Sequence, residues 1–333
     1  MKKFIIAIMI VVLAVVGCVS LMACQPPTDF TVGVIQLAPH DALDKANSAF
    51  CAELKSLLEA EGKTITFLQN NANNEDSQNT SIVNSFIGKN VDLIYSIATS
   101  SSQTAVAKAK DYDIPVIFNA VTDPVDAGLV KSMENPGVNV TGVSDINPIA
   151  DQVGLMVELM ADTIAQSELT IGVLFVSKET NSVVQKDAVK AECEKLGIKF
   201  AEYGIDEAAN IGNGLQGLKK MGADIVYLPT DNVLASEAAT IHSENIKKEV
   251  NLPMVCGEGG MTELCGVATL SVDYEYLGKL AAQSAFDILM GNKKASEIAV
   301  KTQTENYTYI VSEKNAEAIG FTIPQSIIDK ANA

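Results

Sequence analysis

Arginine and tryptophan are absent from this 333-residue chain, and histidine occurs only at His40 and His242. Without arginine, no planar guanidinium can grip a carboxylate or phosphate with two parallel hydrogen bonds. An anionic ligand group would have to be met by lysine, by hydroxyls, or by backbone N–H groups at a helix N-terminus. Catalytic motifs are missing as well. No G-x-G-x-x-G turn follows the first apolar run, there is no P-loop and no G-x-S-x-G elbow, and Gly257 to Gly260 is an isolated glycine cluster. His242 lies in a helical pattern among polar neighbours and His40 has no nucleophile beside it, so neither builds an acid–base–nucleophile set. Cysteine and histidine clusters with zinc spacing are lacking, so no metal and no cofactor is expected, and the chain does not read as an enzyme.

Positive charge is scarce and scattered. The formal net charge is -17, from 24 lysines against 41 acidic residues, and the lysines form no stripe or block. Such a surface repels phosphate backbones, which excludes nucleic acid as a partner.

The largest apolar run, Phe4 to Gly17, follows Met1–Lys2–Lys3 and is too short for a membrane span. It is the core of a signal peptide, residues 1–23. Leu21–Met22–Ala23–Cys24 resembles the bacterial lipobox, which makes Cys24 the expected lipidated residue and 24–30 a tether. Val15–Val16–Gly17–Cys18 is a competing match, disfavoured because it would leave Leu21 and Met22 in the exposed tether. Cys51 and Cys193 fall in helical patterns, where a thiol acts as a small apolar side chain. Cys256 and Cys265 flank a short turn region, and whether they pair stays open at the level of sequence.

Beyond the tether, continuous apolar runs alternate with amphipathic stripes. Thr31 to Leu37, Thr64 to Leu68, Asp92 to Ile97 and Pro115 to Asn119 read as strands buried on both faces. A second series follows at Thr170 to Val176, Lys199 to Gly204, Asp224 to Leu228 and Met254 to Gly257, with helices at Ser182 to Leu196, Ala208 to Met221 and Val233 to Glu249. Two such series predict an α/β chain of two doubly wound parallel-sheet lobes joined by a hinge. The breakpoints put 31–145 plus 274–300 in lobe 1 and 146–273 plus 301–333 in lobe 2, with crossings near Ser144 to Pro148 and Val272 to Tyr274.

In open parallel sheets ligands collect beyond the carboxyl ends of the strands. Those positions are Gln36 to Asp41 with His40, Thr99 to Gln103 with Ser100 and Ser101, Asn119 to Asp123, Ser177 to Ser182 with Asn181, Thr230 to Asn232, and Gly257 to Gly260 with Glu258. Each Ser, Thr, Asp or Asn after a strand also has a plain reading as a helix cap. The hydroxyl run Thr99 to Ser101 exceeds what one cap needs and suits a ligand carboxylate, with Asp231 or Glu258 left to pair with a ligand ammonium. Tyr95, Phe118, Tyr227 and Tyr274 lie near strand ends, as ring-stacking partners or as core.

The stretch NAVTDPVDAGLVKSMENPGVNVTGVSD from Asn119 to Asp145, with IATSSSQTA, LPTDN and SVDYEYLG, resembles the ABC transporter substrate-binding protein family that includes the tryptophan-binding, TrpX-like lipoproteins. The similarity runs from Thr31 to Ile328. It implies a type I periplasmic-binding fold, a monomer, that passes a small solute to an ABC permease and its ATPase. An amino acid, aromatic by preference, is the implied ligand. The setting is extracytoplasmic, with the chain anchored to the outer face of the cell membrane. By position it implies ligand contacts at Thr99 to Ser101, Asp145, Asn181, Ser182, Asp231 and Glu258. The sequence departs from the family at Leu37 and Asp41, where an aromatic and a proline are more usual, and at Gly259–Gly260, which replace acidic residues. The alternative is an extracellular sensory module of the same fold.

Overall fold

The computed structural model describes residues 28–333. The expected signal peptide and both lipobox cysteines, Cys18 and Cys24, lie outside the described residues.

The chain begins with β1 (Phe30–Gln36), α1 (Asp41–Ala60), β2 (Ile65–Asn71), α2 (Asp76–Gly88), β3 (Leu93–Ile97), α3 (Thr99–Ala109), β4 (Val116–Asn119) and β5 (Val140–Ser144). It crosses to a second set: α4 (Ile149–Met160), β6 (Thr170–Val176), α5 (Thr180–Leu196), β7 (Lys199–Ile205), α6 (Ile211–Lys220), β8 (Ile225–Leu228), α7 (Asn232–Ser236), α8 (Ala238–Lys247), β9 (Met254–Cys256), α9 (Gly259–Leu264) and β10 (Ala268–Ser271). Then α10 (Tyr274–Leu289) returns to the first set with β11 (Lys301–Thr302), while β12 (Thr308–Val311), α11 (Glu313–Ala318) and α12 (Gln325–Ala331) finish on the second.

The strand orders are β11-β5-β4-β3-β1-β2 and β12-β10-β9-β8-β6-β7, six strands each. Every pairing is parallel except β10 with β12. That edge strand arrives directly from the other lobe with no helical crossover, so it can run antiparallel. Lys301 and Thr302, assigned by sequence to lobe 2, pair with Val143 and Ser144 in the first sheet. The helix expected from Val233 to Glu249 is two helices, interrupted at Glu237.

Apolar side chains fill both faces of each sheet. One core packs α1, α2 and α10 around Val34, Phe50, Ile94 and Ile117. The second sheet has one core on each side, around Ile171, Val189 and Ile327 and around Leu174, Leu215 and Leu234. Tyr95 stacks on Phe50 with ring centroids 3.6 Å apart, and Tyr95, Phe118 and Tyr227 are fully buried. These three aromatics are therefore core and not ligand-facing.

Candidate functional site

Each sheet reverses its winding once, between β1 and β3 in the first and between β6 and β8 in the second. At such a switch point adjacent loops diverge to opposite faces and leave a crevice. The loops there carry Leu37 to Asp41 and Ala98 to Thr99 on one side, and Lys178 to Asn181 and Thr230 to Asn232 on the other. The two crevices face each other across the interlobe cleft.

The lobes touch along this cleft. His40 Nε2 stands 3.4 Å from Asn232 Oδ1, and Asn74 Nδ2 donates to Ser236 Oγ at 3.4 Å. Gln185 Nε2 reaches Thr122 Oγ1 at 3.5 Å. At Gly260 a Cβ would lie 2.6 Å from the Asp41 Cβ, so the missing side chain is what admits this close approach. Gly260 is one of the positions where the sequence departs from its family resemblance, and its smallness serves lobe contact.

The inner end of the cleft is a cavity of ≈ 20 Å³, walled by Asp145, Asp231, Glu258, His40, Thr122 and Tyr274 among others. Three carboxylates meet there, each at most 4% exposed, and no lysine lines the cavity. Their hydrogen bonding differs. Asp231 caps α7: Oδ1 accepts from Val233 N at 3.0 Å and Leu234 N at 2.9 Å, and Oδ2 accepts from Val176 N at 3.1 Å. Glu258 caps α9, accepting from Gly260 N and Met261 N, both at 2.9 Å. Asp145 has two hydroxyl donors, Tyr274 at 2.8 Å and Thr122 at 3.3 Å, and no backbone amide from another residue.

Burial raises all three carboxyls, since removing water disfavours the charged form. Asp231 is pushed to about 8 by burial and the nearby Glu179 charge, against the pull of its amide donors and Ser182. Glu258 is pushed to about 7 by burial, against its two amide donors. Asp145 is raised by burial, against its hydroxyl partners. His40 is lowered by burial, which favours the neutral ring, and its Nδ1 is buried with no hydrogen-bond partner. A neutral imidazole nitrogen held among buried carboxyls offers a ligand one uncommitted polar contact.

The outer end opens into a cavity of ≈ 200 Å³ bordered by Leu37, Asn74, Thr99, Gln103, Lys178 and Val233, sharing Asn181 and Asn232 with the inner one. Here α3 starts without a side-chain cap, and its N-cap residue, Ala98, sits at φ 81°. That backbone conformation is costly for any residue with a Cβ and is held only when surrounding structure enforces it. Thr99 Oγ1, next in the chain, is buried and unpartnered. Uncapped amides and a free hydroxyl at one helix start form a seat for a carboxylate.

The remaining expected residues divide between the cleft and the scaffold. Ser100 borders the outer cavity, with its hydroxyl bonded to Asp76 at 2.9 Å. Asn181 lines both cavities and donates to Thr230 O at 2.7 Å, and Thr230 lines the inner one. Ser101, Asn119 and Ser182 lie behind the walls. Ser101 donates to Asn79 at 2.7 Å, Asn119 donates to Tyr95 OH at 2.8 Å, and Ser182 Oγ accepts from Val176 N at 3.2 Å. Each is fully or nearly fully buried, and its hydrogen bonds hold loops to sheets. Sequence reasoning missed Gln185, whose amide contacts Asn147, Thr230 and Thr122 and links the first crossing to both lobes. It also missed Asn74 and Lys178 as individual residues. Among the described residues no group of side chains could hold a metal ion, and no helix is long and apolar enough to cross a membrane.

The sequence model described as ABC transporter substrate binding protein matches residues 31–333. A tyrosine-binding protein of Clostridioides difficile is 34% identical over 86% of this chain and 80% of its own length. A Streptococcus pneumonia ABC domain solved in complex with L-Trp is 30% identical, with a TM-score of 0.79 over 90% of this chain and 98% of that one. A ligand-free, open substrate-binding protein from Clostridium difficile, with adhesive properties, is 33% identical, with a TM-score of 0.65 over 89% and 96%. With its type I periplasmic-binding fold and its family match over nearly the whole described chain, the protein belongs to the ABC transporter substrate-binding proteins, a family of binders that work outside the cytoplasm.

Proposed function

We propose that the protein captures one free amino acid between its lobes and delivers it to an ABC permease with its ATPase. The observation that carries this reading is the polarity of the cleft. Its inner end gathers buried carboxyls with no lysine, and its outer end presents an uncapped helix start and the free Thr99 hydroxyl. A zwitterion satisfies both: its ammonium meets Asp145, which has no amide donors from other residues, and its carboxylate meets α3. Asp231, the countercharge expected from sequence, serves as a cap in this reading. The side chain then extends into the outer cavity between Leu37 and Val233. The tyrosine and tryptophan named for the two relatives support an aromatic side chain there. A lipid on Cys24 would hold the protein at the outer face of the membrane, and mass spectrometry of the membrane form should find an acylated N-terminal Cys24.

A thermal-shift screen across the free amino acids tests the ligand class. The bound ligand at 100 times its dissociation constant should add about 2.7 kcal/mol of stability, with no chemical change in the amino acid. Stabilisation by tyrosine or tryptophan supports the reading. A flat response to every amino acid would overturn it.

A further inference from the structure

We propose that Cys256 and Cys265 are the two halves of a disulfide that closes the loop carrying Glu258. Their sulfurs face each other at 4.0 Å, and both residues are buried, at 0% and 2% exposure. Cys256 ends β9 and Cys265 follows α9, so the pair brackets the short helix whose cap, Glu258, walls the inner cavity and whose Gly260 meets Asp41 across the cleft. Gly266 supplies the room: a Cβ there would lie 2.7 Å from Cys256 Sγ. The remaining gap to the ~2.05 Å of a disulfide is about 2 Å, between sulfurs that already face each other.

The redox setting fits, because proteins outside the cytoplasm meet oxidants that keep such pairs joined. The reaction joins the two sulfurs with loss of two protons and two electrons, which pass to an external disulfide that is reduced to two thiols. In the folded chain the hydrogen bond to Cys256, together with burial, holds the Cys265 thiol well above its usual range, so a thiolate is rare there. The bond therefore forms as the second lobe folds and persists afterwards, fixing the edge of the cleft that bears Glu258.

The full mature chain is unfolded, refolded with a glutathione redox buffer rich in the disulfide form, denatured without reductant and alkylated with iodoacetamide. Because the chain lacks arginine, trypsin leaves both cysteines in one peptide, Glu249 to Lys279. The expected peptide is lighter by two hydrogens and carries no alkyl group, and the oxidised protein melts about 4–8 °C above the reduced one. In a C256A/C265A variant that gap disappears. Alkylation of both cysteines after oxidative refolding, or a gap that persists in the variant, overturns the proposal.

Discussion

The Tyr274 hydroxyl donates a 2.8 Å hydrogen bond to Asp145 Oδ2, joining residues 129 positions apart that stand at the first and second crossings between the lobes. Asp145 directly follows β5 and Tyr274 opens α10, so the carboxyl assigned to the ligand ammonium is held by the segments that must bend when the lobes move. In the proposed binding mode, ligand charge and hinge geometry thereby meet at one carboxylate.

Asp231 has the opposite character. With three amide donors on its carboxylate it belongs to the folded scaffold whether or not ligand is present. Asp231→Ala should lower stability by about 1–2 kcal/mol, the upper part of the usual range for a lost cap, while affinity stays within a few-fold. A melting curve beside a calorimetric titration reads both, and a large affinity loss at unchanged stability would return the ammonium to Asp231.

Why the cap role was not decided by sequence is a matter of geometry. Asp231 and Thr99 both follow a parallel strand and precede a helix, and both residue types suit a cap or a ligand. At α7 the aspartate stands at the N-cap and reaches Val233 and Leu234. At α3 that position is Ala98, whose methyl cannot cap, so the hydroxyl of Thr99 one residue later is left free. The strand-end loops themselves were legible, because continuous apolar runs locate the strands of both sheets and so the loops at their carboxyl ends, while the strand order that marks the switch points is not in the runs. Gln185 was not, since it sits inside α5 and its reach to Thr122 depends on how that helix is aimed across the cleft. The antiparallel β12 also escaped, because nothing local distinguishes its edge pairing from a surface loop. Asp145 came only through family resemblance, as it follows a strand that leads to a crossing and not to a helix of its own lobe.

Thr99→Val removes a buried hydroxyl that has no hydrogen-bond partner within the protein while keeping its shape. Affinity should fall by about 2- to 12-fold, the worth of about 0.5–1.5 kcal/mol for one hydrogen bond, with the melting temperature unchanged or raised. Titration of wild type and variant with the same amino acid tests this, and equal affinities would remove Thr99 from the carboxylate seat.

Binding and stability should respond to pH in opposite directions. Asp231 and Glu258 are raised from their ordinary 3.8 and 4.5 to about 8 and about 7, and Asp145 is raised too. A raised carboxyl holds its proton more tightly when folded, so the stability it contributes is complete below the unfolded value and is lost as pH rises through the folded one. His40 and His242, both lowered by burial, oppose this by gaining stability as they deprotonate, but they are two groups against three. Between about pH 5 and pH 8 the empty protein should therefore melt at falling temperature, while affinity rises as Asp145 ionises to meet the ammonium. Parallel trends in the two measurements would contradict the charge pairing.

Calorimetric titration of Asp145→Asn with the amino acid that most stabilises the wild type addresses the assignment of the ammonium directly. Asparagine keeps the size and an oxygen that accepts from Tyr274, turns the group facing Thr122 into an amide donor to that hydroxyl, and removes the charge. Affinity should drop by about 30-fold to several thousandfold, the usual cost of about 2–5 kcal/mol for losing one partner of a desolvated charge pair, while the empty protein melts at least as high as wild type. An affinity within about twofold of wild type, well under 1 kcal/mol, would contradict the pairing of Asp145 with the ligand ammonium.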